Sequence, residues 1–174
     1  MANVILVDSK DYPIGTMEKL EAHQKGVLHR AYSVFLFNNN NELLLQKRAK
    51  GKYHSSDLWS NTCCSHPEPG EHLTTSAQNR LLEEMGITTS LQSLFSFTYK
   101  TKFSNGLIEH ELDHVLIGRF NASPLPNPAE ASDWKYASLK EISNEVKENP
   151  EAYTFWFKKI YKRVFKYILL SNIF

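Results

Sequence analysis

The side chains best suited to chemistry in this 174-residue sequence are glutamates and histidines that could bind a metal ion. Glu109 and Glu111 are two residues apart in a β-rich run, so their carboxylates project from the same face of a strand. Carboxylate oxygens combined with imidazole nitrogens suit Zn²⁺, Mn²⁺ or a similar divalent ion. The histidines that could complete the site are His23, His29 and His66. Taken singly, a histidine is more often an ordinary surface residue, so spacing alone leaves this metal site a hypothesis.

The adjacent residues Cys63 and Cys64 are a second source of chemistry. Their adjacency disfavours an ordinary disulfide between them. Together with His66 they could form half of a zinc knuckle, but the sequence holds no second cysteine pair to complete one. Neighbours on an extended segment point to opposite faces, so at most one thiol faces a site built from that strand. The other is expected to be a small buried hydrophobe.

Arg80, Glu83 and Glu84 are a third candidate group, because helical spacing puts them on one flank of a helix. Glu84 could hold Mg²⁺ against a substrate phosphate, since that ion prefers a few carboxylates plus phosphate oxygens. A solvated helix face explains the same three charges. On charge pattern alone, the solvated face is favoured.

Two pairs of β-rich runs are expected to position these groups. Residues 31–37 and 42–48 flank four asparagines, which tolerate the left-handed conformations of a tight turn, and the pattern predicts a hairpin. Residues 94–102 and 108–120 flank the sequence Ser-Asn-Gly at 104–106, in which Asn-Gly is a strong hairpin signal.

Helices are expected between and after these strand pairs. An apolar stripe at every fourth residue predicts a helix that ends at Gly86. Residues 138–148 predict a short helix stopped by Pro150, and residues 154–173 a longer one with an apolar and a lysine-rich face. The order of elements predicts an α+β fold, a mixed β-sheet sandwiched between helices, in a single domain of residues 1–174. The first stripe consists of Leu73, Ala77, Leu81 and Met85, and the last helix pairs Trp156, Ile160 and Val164 with Lys158, Lys159, Lys162 and Lys166 on the other face.

Composition excludes several classes of protein. With 41% hydrophobic and 22% charged residues and a net charge of +1, the chain lacks the basic signature of a nucleic-acid partner. The N-terminal segment lacks the features of a signal peptide, and no stretch is long enough to span a bilayer. The cysteine usage fits a reducing cytoplasm. We therefore expect a cytoplasmic protein with no nucleic-acid or membrane partner, and the lack of a nucleotide-binding glycine motif excludes a flavin.

Six blocks of the sequence together resemble the type 1 isopentenyl-diphosphate isomerases, a family of the Nudix superfamily. The resemblance runs from about residue 3 to about residue 160, and its most specific parts are WSNTCCSHP and EHE, which occur in the family's order and spacing. It implies a Nudix fold and the interconversion of isopentenyl and dimethylallyl diphosphate by protonation and deprotonation, in isoprenoid biosynthesis. The six blocks are TMEKLEAH, LHRAYSVFLFN, LLLQKRA, DLWSNTCCSHPEPGE, NRLLEEMGI and IEHELDHV.

The resemblance also implies roles for single residues. Cys64 and Glu111 match the two proton-transfer residues, Tyr99 matches a partner of the carboxylate, and Trp156 matches the aromatic ring that faces the hydrocarbon. Mg²⁺ would arrive with the substrate diphosphate and bind Glu84. The alignment around Lys52 can slip, so Lys50 is the alternative at that position. The implied ligands of a tightly bound Mn²⁺ or Zn²⁺ are His23, His29, His66, Glu109 and Glu111, and the implied diphosphate cations are Lys19, Arg48, Lys52 and Arg80.

The Nudix box in this chain, residues 65–87, departs from that of Nudix hydrolases. Ser65 replaces the opening glycine, and Asn79-Arg80 replaces an Arg-Glu pair, while Glu83 and Glu84 are kept. A Nudix pyrophosphohydrolase, the alternative function, would need the missing carboxylate to activate water. A catalytically silent, metal-stabilised binding module is the third hypothesis, and the intact proton-transfer pair argues against it. The expected partner is a small allylic or homoallylic diphosphate, and the expected state a monomer or weak homodimer.

Overall fold

The computed structural model describes residues 3–52 and 54–170. Within those ranges nine strands join in one mixed sheet and four α-helices pack around it. The strands are β1 (Asn3–Val7), β2 (Pro13–Glu18), β3 (His29–Phe37), β4 (Leu43–Arg48), β5 (Trp59–Ser60), β6 (Cys63–Ser65), β7 (Gln92–Lys102), β8 (Ile108–Arg119) and β9 (Ala131–Ala137). The helices are α1 (Lys19–Lys25), α2 (Leu73–Met85), α3 (Leu139–Glu148) and α4 (Phe155–Leu170), with a 3₁₀ turn at Pro150–Ala152.

Strand β3 is the centre of the sheet. It pairs in parallel with β8 from His29 opposite Glu111 to Phe37 opposite Arg119, and antiparallel with the short strand β6. Strand β8 pairs in turn with β7, while β4 pairs with β9 and β5. The parallel register brings the start of β3 next to the first half of β8. The two segments richest in candidate metal ligands therefore lie side by side.

Both faces of the sheet are covered, which explains the nearly continuous apolar run in β3. Val34 and Leu36 face one side, where they pack with Ala77, Leu81 and Met85 of α2. Phe35 and Phe37 face the other side, where they pack with α4. This arrangement confirms the predicted α+β fold with a mixed sheet between helices. In α4 the buried residues are Trp156, Phe157, Ile160, Tyr161, Val164, Phe165 and Ile168, as the apolar stripe predicts.

The two predicted hairpins have different outcomes. The hairpin of β7 and β8 is confirmed, with antiparallel pairing up to Lys102 opposite Ile108 and Gly106 at a φ of 87° in the turn. The predicted hairpin of β3 and β4 is wrong beyond its turn. These strands pair at a single position, Phe37 opposite Leu43, and then diverge because β8 and β6 occupy the two edges of β3. The asparagine turn itself forms, with Asn41 at a φ of 58°.

The predicted helix boundaries hold to within a few residues. Helix α2 ends at Gly86, which has a φ of 66°, and a Cβ added there would lie 2.8 Å from the Leu125 carbonyl oxygen. Ser138 caps α3 in a capping box with Glu141. The predicted end of the last helix, Ile173, lies outside the described residues. Strands β1, β2, β5 and β9 and helix α1 were not predicted, whereas β6 corresponds to the extended segment expected at Cys63 and Cys64. Within residues 3–52 and 54–170, no helix is both long and apolar enough to cross a bilayer.

Candidate active site

A cavity lies where β3, β6 and β8 meet α2 and α4. It contains most of the residues that the sequence predicted for the site. His23 and His29 do not line it but are fully buried beside it. Lys52 lines the cavity whereas Lys50 is exposed, so the structure brings Lys52 to the site. The predicted residues that line the cavity are Lys19, Arg48, Lys52, Cys64, His66, Arg80, Glu84, Tyr99, Glu109, Glu111 and Trp156.

One cluster of buried side chains has the composition of a metal site. His23, His29, His66 and Glu111 each offer one ligand atom, and these atoms lie within 4.8 Å of one another. The Nε2 atom of His66 is 2.8 Å from Glu111 Oε1, and the Nε2 atom of His29 is 3.7 Å from the same oxygen. Three imidazoles and a carboxylate suit a divalent transition ion.

Backbone contacts on the far side of two imidazoles orient this cluster. His23 Nδ1 lies 2.7 Å from the Lys19 carbonyl oxygen, and His29 Nδ1 lies 2.8 Å from that of Val27. A carbonyl oxygen can only accept, so Nδ1 donates and Nε2 carries the lone pair that a metal requires. The buried His29 Nε2 has no hydrogen-bond partner among the residues described here. The donor set and its outer contacts therefore fit a bound divalent ion.

A turn between α1 and β3 brings the two histidines together. Gly26 ends α1 in the left-handed conformation, with a φ of 63°. A Cβ added at Gly26 would lie 2.8 Å from Cγ2 of Ile108, the first residue of β8. The side-chain-free turn lets the chain reverse against β8, and His29 then pairs with Glu111. The metal cluster thus depends on a backbone feature that only glycine adopts readily.

Tyr99 connects the two glutamates of β8. Its Oη atom lies 2.7 Å from Glu109 Oε2 and 2.7 Å from Glu111 Oε2. A phenol has a single hydrogen to donate, so both contacts are satisfied only when one carboxyl group also holds a proton. Burial, together with the charge of Glu111, raises the pKa of Glu109 well above its usual range. Burial also acts to raise the pKa of Glu111, but His29 and His66 outweigh it and lower that pKa. Without a bound ion these opposite shifts place the proton on Glu109, and an ion bound there would displace it.

Cys63 and Cys64 have different surroundings in β6. Cys63 is fully buried and packs with the residues of α2, whereas Cys64 lines the cavity opposite Ser33 of β3. Strand alternation causes this division. Burial raises the pKa of the Cys64 thiol to about 12 although Arg48 acts to lower it, so Cys64 is a protonated thiol near neutral pH.

Trp156 forms the aromatic side of the cavity. The indole is only 3% exposed, and its Nε1 donates to Ser60 Oγ at 3.0 Å and to Asn61 Oδ1 at 3.2 Å. The guanidinium carbon of Arg48 lies 5.4 Å from the centre of the ring, within the range of a cation–π contact. Two buried polar partners and a stacked cation hold the ring in one orientation.

Cations other than Arg48 also border the cavity. Arg80 is paired through Nε with Glu84 at 2.8 Å, through Nη1 with Glu83 at 2.7 Å and through Nη2 with Glu130 at 2.6 Å. Lys52 also pairs with Glu130. Glu84 is 5% exposed and accepts a further hydrogen bond from Gln46. The solvated-face interpretation therefore holds for Glu83 but is wrong for Glu84, because α2 turns that carboxylate into the protein.

Three residues near the cavity were missed at the level of the sequence. Asp113 is buried behind it and accepts a hydrogen bond from Ser33 Oγ at 2.7 Å. The alternation that places Glu109 and Glu111 on one face could have identified Asp113 as the next residue of that row. His54 and Glu130 are in loops, where no local pattern indicates which way a side chain points.

Comparisons with known proteins agree with this geometry. Residues 27–161 match the NUDIX domain. Isopentenyl-diphosphate Delta-isomerase 2 of Aromatoleum aromaticum is 52% identical over 161 residues, which are 92% of this chain and 85% of that protein. An isopentenyl-diphosphate Delta-isomerase of Pectobacterium atrosepticum is 50% identical over 94% of this chain and 92% of that protein.

The solved structure of DR0079 from Deinococcus radiodurans has a similar fold, with a TM-score of 0.77 over 92% of this chain and 98% of that one. At 17% sequence identity this likeness concerns the fold alone. The family follows from the extent of the two sequence matches and of the domain match. The chain belongs to the NUDIX domain family and, within it, to the isopentenyl-diphosphate Delta-isomerases.

Proposed function

We propose that this protein interconverts isopentenyl diphosphate and dimethylallyl diphosphate, by moving a proton on and off the five-carbon chain, in isoprenoid biosynthesis. The observation that carries the proposal is that a half-buried thiol, Cys64, and a buried carboxylate, Glu111, line one cavity together with an aromatic ring and several cations. An isomerase of this kind needs one protein acid and one protein base beside the carbon chain of the substrate, and it does not attack phosphorus. The similarity to named isomerases supports the same reaction.

The protonation states support a division of labour within the pair. The Cys64 thiol, with a pKa of about 12, holds its proton and can deliver it to the terminal alkene carbon. Glu111, whose pKa is lowered by its histidine neighbours, is ionised and can accept a proton from the allylic carbon. One proton is added and one removed, so the substrate keeps its composition. A proton must then pass from Glu111 back to Cys64 before the next turnover in the same direction.

Protonating an unactivated alkene generates positive charge at a tertiary carbon, which water would trap. Trp156 presents an aromatic ring to the cavity, and a ring face stabilises a desolvated cation by about 2 kcal/mol. The indole is nearly buried, and its hydrogen bonds to Ser60 and Asn61 keep it in place. The same apolar side excludes water from the reacting carbons.

The diphosphate serves as a handle that stays intact. Lys19, Arg48, Lys52 and Arg80 border the cavity and suit a diphosphate, because phosphate oxygens prefer cationic donors. A substrate with few polar atoms in its tail gains its orientation from this end. The side chain at position 80 is a guanidinium instead of a carboxylate, which supports binding of diphosphate without hydrolysis.

Nudix enzymes use divalent metals, and we infer two ions here. Mn²⁺ or Zn²⁺ would be held by His23, His29, His66, Glu109 and Glu111, and Mg²⁺ would come with the diphosphate and bind Glu84. A bound divalent ion supplies positive charge that keeps a buried glutamate ionised. The site is supported by the ligand atoms of His23, His29, His66 and Glu111, which lie within 4.8 Å of one another, and Glu109 adjoins this group through His23.

One experiment tests the reaction. Purified protein is incubated with isopentenyl diphosphate and Mg²⁺ in D₂O, and the products are followed by NMR and by a phosphate assay. We expect dimethylallyl diphosphate with deuterium in a methyl group and no released phosphate. Released phosphate would instead identify a pyrophosphohydrolase, and unchanged substrate would identify a binding protein.

Three further properties stay predictions. We infer a cytoplasmic location from Cys63 and Cys64, which are both free thiols. We infer a small diphosphate as the only class of partner, with no nucleic acid and no membrane, because the composition carries no charge excess. We also infer a monomer or weak homodimer, which light scattering on the purified protein measures directly.

A further inference from the structure

His54 is a histidine of the cavity that the family resemblance does not assign. It lies between β4 and β5 and is 9% exposed. Its Nε2 atom is 3.1 Å from Glu109 Oε1. The imidazole lies parallel to the ring of Phe103, at a centroid distance of 5.0 Å and an interplanar angle of 11°. It also makes a T-shaped contact with the ring of Trp156, at a centroid distance of 6.1 Å. Aromatic contacts on two sides hold the ring against the carboxyl group.

Glu109 is therefore contacted on both of its oxygens. Tyr99 Oη contacts Oε2 at 2.7 Å, and His54 Nε2 contacts Oε1 at 3.1 Å. The ligand atoms of His23, His54 and Glu109 also lie within 4.8 Å of one another, so His54 adjoins the ion cluster through His23. Partners that orient a ligating carboxylate normally contribute strongly to metal affinity.

The backbone of His54 makes a second connection. Its carbonyl oxygen accepts from Arg48 Nη2 at 3.3 Å, and the next carbonyl, of Ser55, accepts from Arg48 Nε at 3.1 Å. Arg48 borders the cavity and lies over Trp156. A single loop residue thus contacts a predicted metal ligand through its side chain and a predicted diphosphate cation through its backbone.

We propose that His54 is a positioning residue of the metal centre. Its side chain orients Glu109 for the ion, and its backbone belongs to the loop whose carbonyl oxygens accept hydrogen bonds from Arg48. The inference rests on the proposed function for the roles of Glu109 and Arg48. A residue that only fills space between Phe103 and Trp156 would affect stability but not ion affinity. Ion retention is therefore the measurement that distinguishes the two roles.

The test compares wild type with His54→Ala and His54→Gln as purified, with the exposed His72→Ala as a control for the loss of a histidine. Each protein is incubated with increasing EDTA, and the metal that stays bound is measured by mass spectrometry. We expect His54→Ala to lose its ion at about 10- to 100-fold less chelator, the usual effect of removing an outer partner of a ligand. His54→Gln keeps an N–H donor and should recover most of the affinity. His72→Ala should match wild type.

Three outcomes would overturn the proposal. The first is a chelator midpoint for His54→Ala equal to that of wild type. The second is a His54→Gln protein that folds but retains metal no better than His54→Ala. If His54→Ala does not fold, a chelator midpoint for His54→Gln that is tenfold or more below that of wild type would overturn the proposal in the same way. The third is a difference between the visible absorption bands of cobalt-loaded His54→Gln and those of cobalt-loaded wild type, because such a difference would mean that His54 itself coordinates the ion.

Kinetics give an independent readout. Because the side chain of His54 acts on Glu109 while its backbone carbonyl accepts from Arg48, His54→Ala should lower kcat and change KM for isopentenyl diphosphate much less. His54→Gln should restore kcat. The chelator assay needs no substrate. If wild type proves inactive on isopentenyl diphosphate but the chelator midpoints separate, the proposed function fails and the inference on His54 stands.

Discussion

Cys63 and Cys64 are adjacent in β6, yet Cys63 packs against α2 while Cys64 lines the cavity on the opposite face of the strand. The two thiols are thus a matched pair for experiment. Each can be replaced by alanine with the same loss of atoms. Only one replacement removes a group that could reach a substrate.

The first prediction uses this pair. Cys64→Ala should lower kcat by about 10²- to 10⁴-fold, the usual contribution of a positioned acid or base, with thermal stability near wild type. Cys63→Ala should cost about 1–2 kcal/mol of stability through a small packing defect and leave kcat nearly unchanged. Steady-state kinetics and chemical denaturation measure both. An active Cys64→Ala protein beside an inactive Cys63→Ala protein would reverse the proposed assignment.

The second prediction concerns the ion cluster. Purified protein should hold about one tightly bound divalent ion per chain, a stoichiometry expected of a site with this donor set. Glu109→Gln and His66→Ala should each lower both ion content and activity by at least about 10-fold, because even outer partners of a metal contribute that much. Elemental analysis beside kinetics tests the link. Full activity in a demonstrably metal-free sample would contradict it.

The third prediction separates the two proposed ions. Glu84→Gln should raise KM for isopentenyl diphosphate and the Mg²⁺ concentration needed for half-maximal rate, because Mg²⁺ prefers carboxylate and phosphate oxygens. The His/Glu ion should be retained, since other side chains bind it. The neighbouring Glu83→Gln is the control, because Glu83 is largely exposed and pairs with the same arginine. Loss of both ions in Glu84→Gln would mean that the two sites share this ligand.

The fourth prediction is a pH dependence at Asp113. Burial, together with the charge of Glu111, raises the pKa of Asp113 well above its usual range. A folded-state pKa above the unfolded value of about 3.9 favours folding at low pH, and that contribution is lost as pH rises towards the folded pKa. Asp113→Asn removes this pH-dependent loss of stability, because an amide does not titrate.

In metal-free protein, the free energy of unfolding of Asp113→Asn minus that of wild type should therefore increase with pH, by up to about 1.4 kcal/mol per pH unit. An offset of about 1–3 kcal/mol from the poorly partnered amide would not depend on pH, so the slope decides. Urea denaturation at a series of pH values from about 4 upwards measures it, because the slope begins above the unfolded pKa. Asp133→Asn, on the exposed side of β9, is the control for the loss of a carboxylate. A slope of the same size in both variants would exclude the assignment to Asp113.

Local patterns predicted the parts of the fold that depend on neighbours in sequence. The Asn105-Gly106 turn defines the β7–β8 hairpin, the four-residue stripe defines α2, and alternation places Glu109 and Glu111 together. Pairings between distant segments were not predictable in this way. The β3–β4 hairpin was expected because nothing in residues 31–48 indicates that β8 occupies one edge of β3.

The site shows the same division. Three histidines and two glutamates could be suggested as ligands from residue type, and the structure brings them to one place. Their roles, and the choice of Cys64 over Cys63 as the proton donor, came from the family resemblance and stay predictions. Neither residue type nor the family resemblance identified His54, because it lies in a loop and contacts Glu109 only once its ring packs against Phe103 and Trp156.

Lys19 takes part in both halves of the site. Its side chain lines the cavity on the cationic side, while its carbonyl oxygen lies 2.7 Å from Nδ1 of His23. A library that randomises the cations to accept a different diphosphate therefore keeps the carbonyl contact with His23 only where the residue chosen at position 19 still begins α1 as a helix. Trp156 is coupled to the same centre, because its ring contacts His54 and the guanidinium of Arg48 in addition to its polar partners in β5 and the residue after it. The tail-binding end, the handle and the ion therefore share contacts, and a variant selected at any one of them needs its metal content measured before its kinetics are compared with wild type.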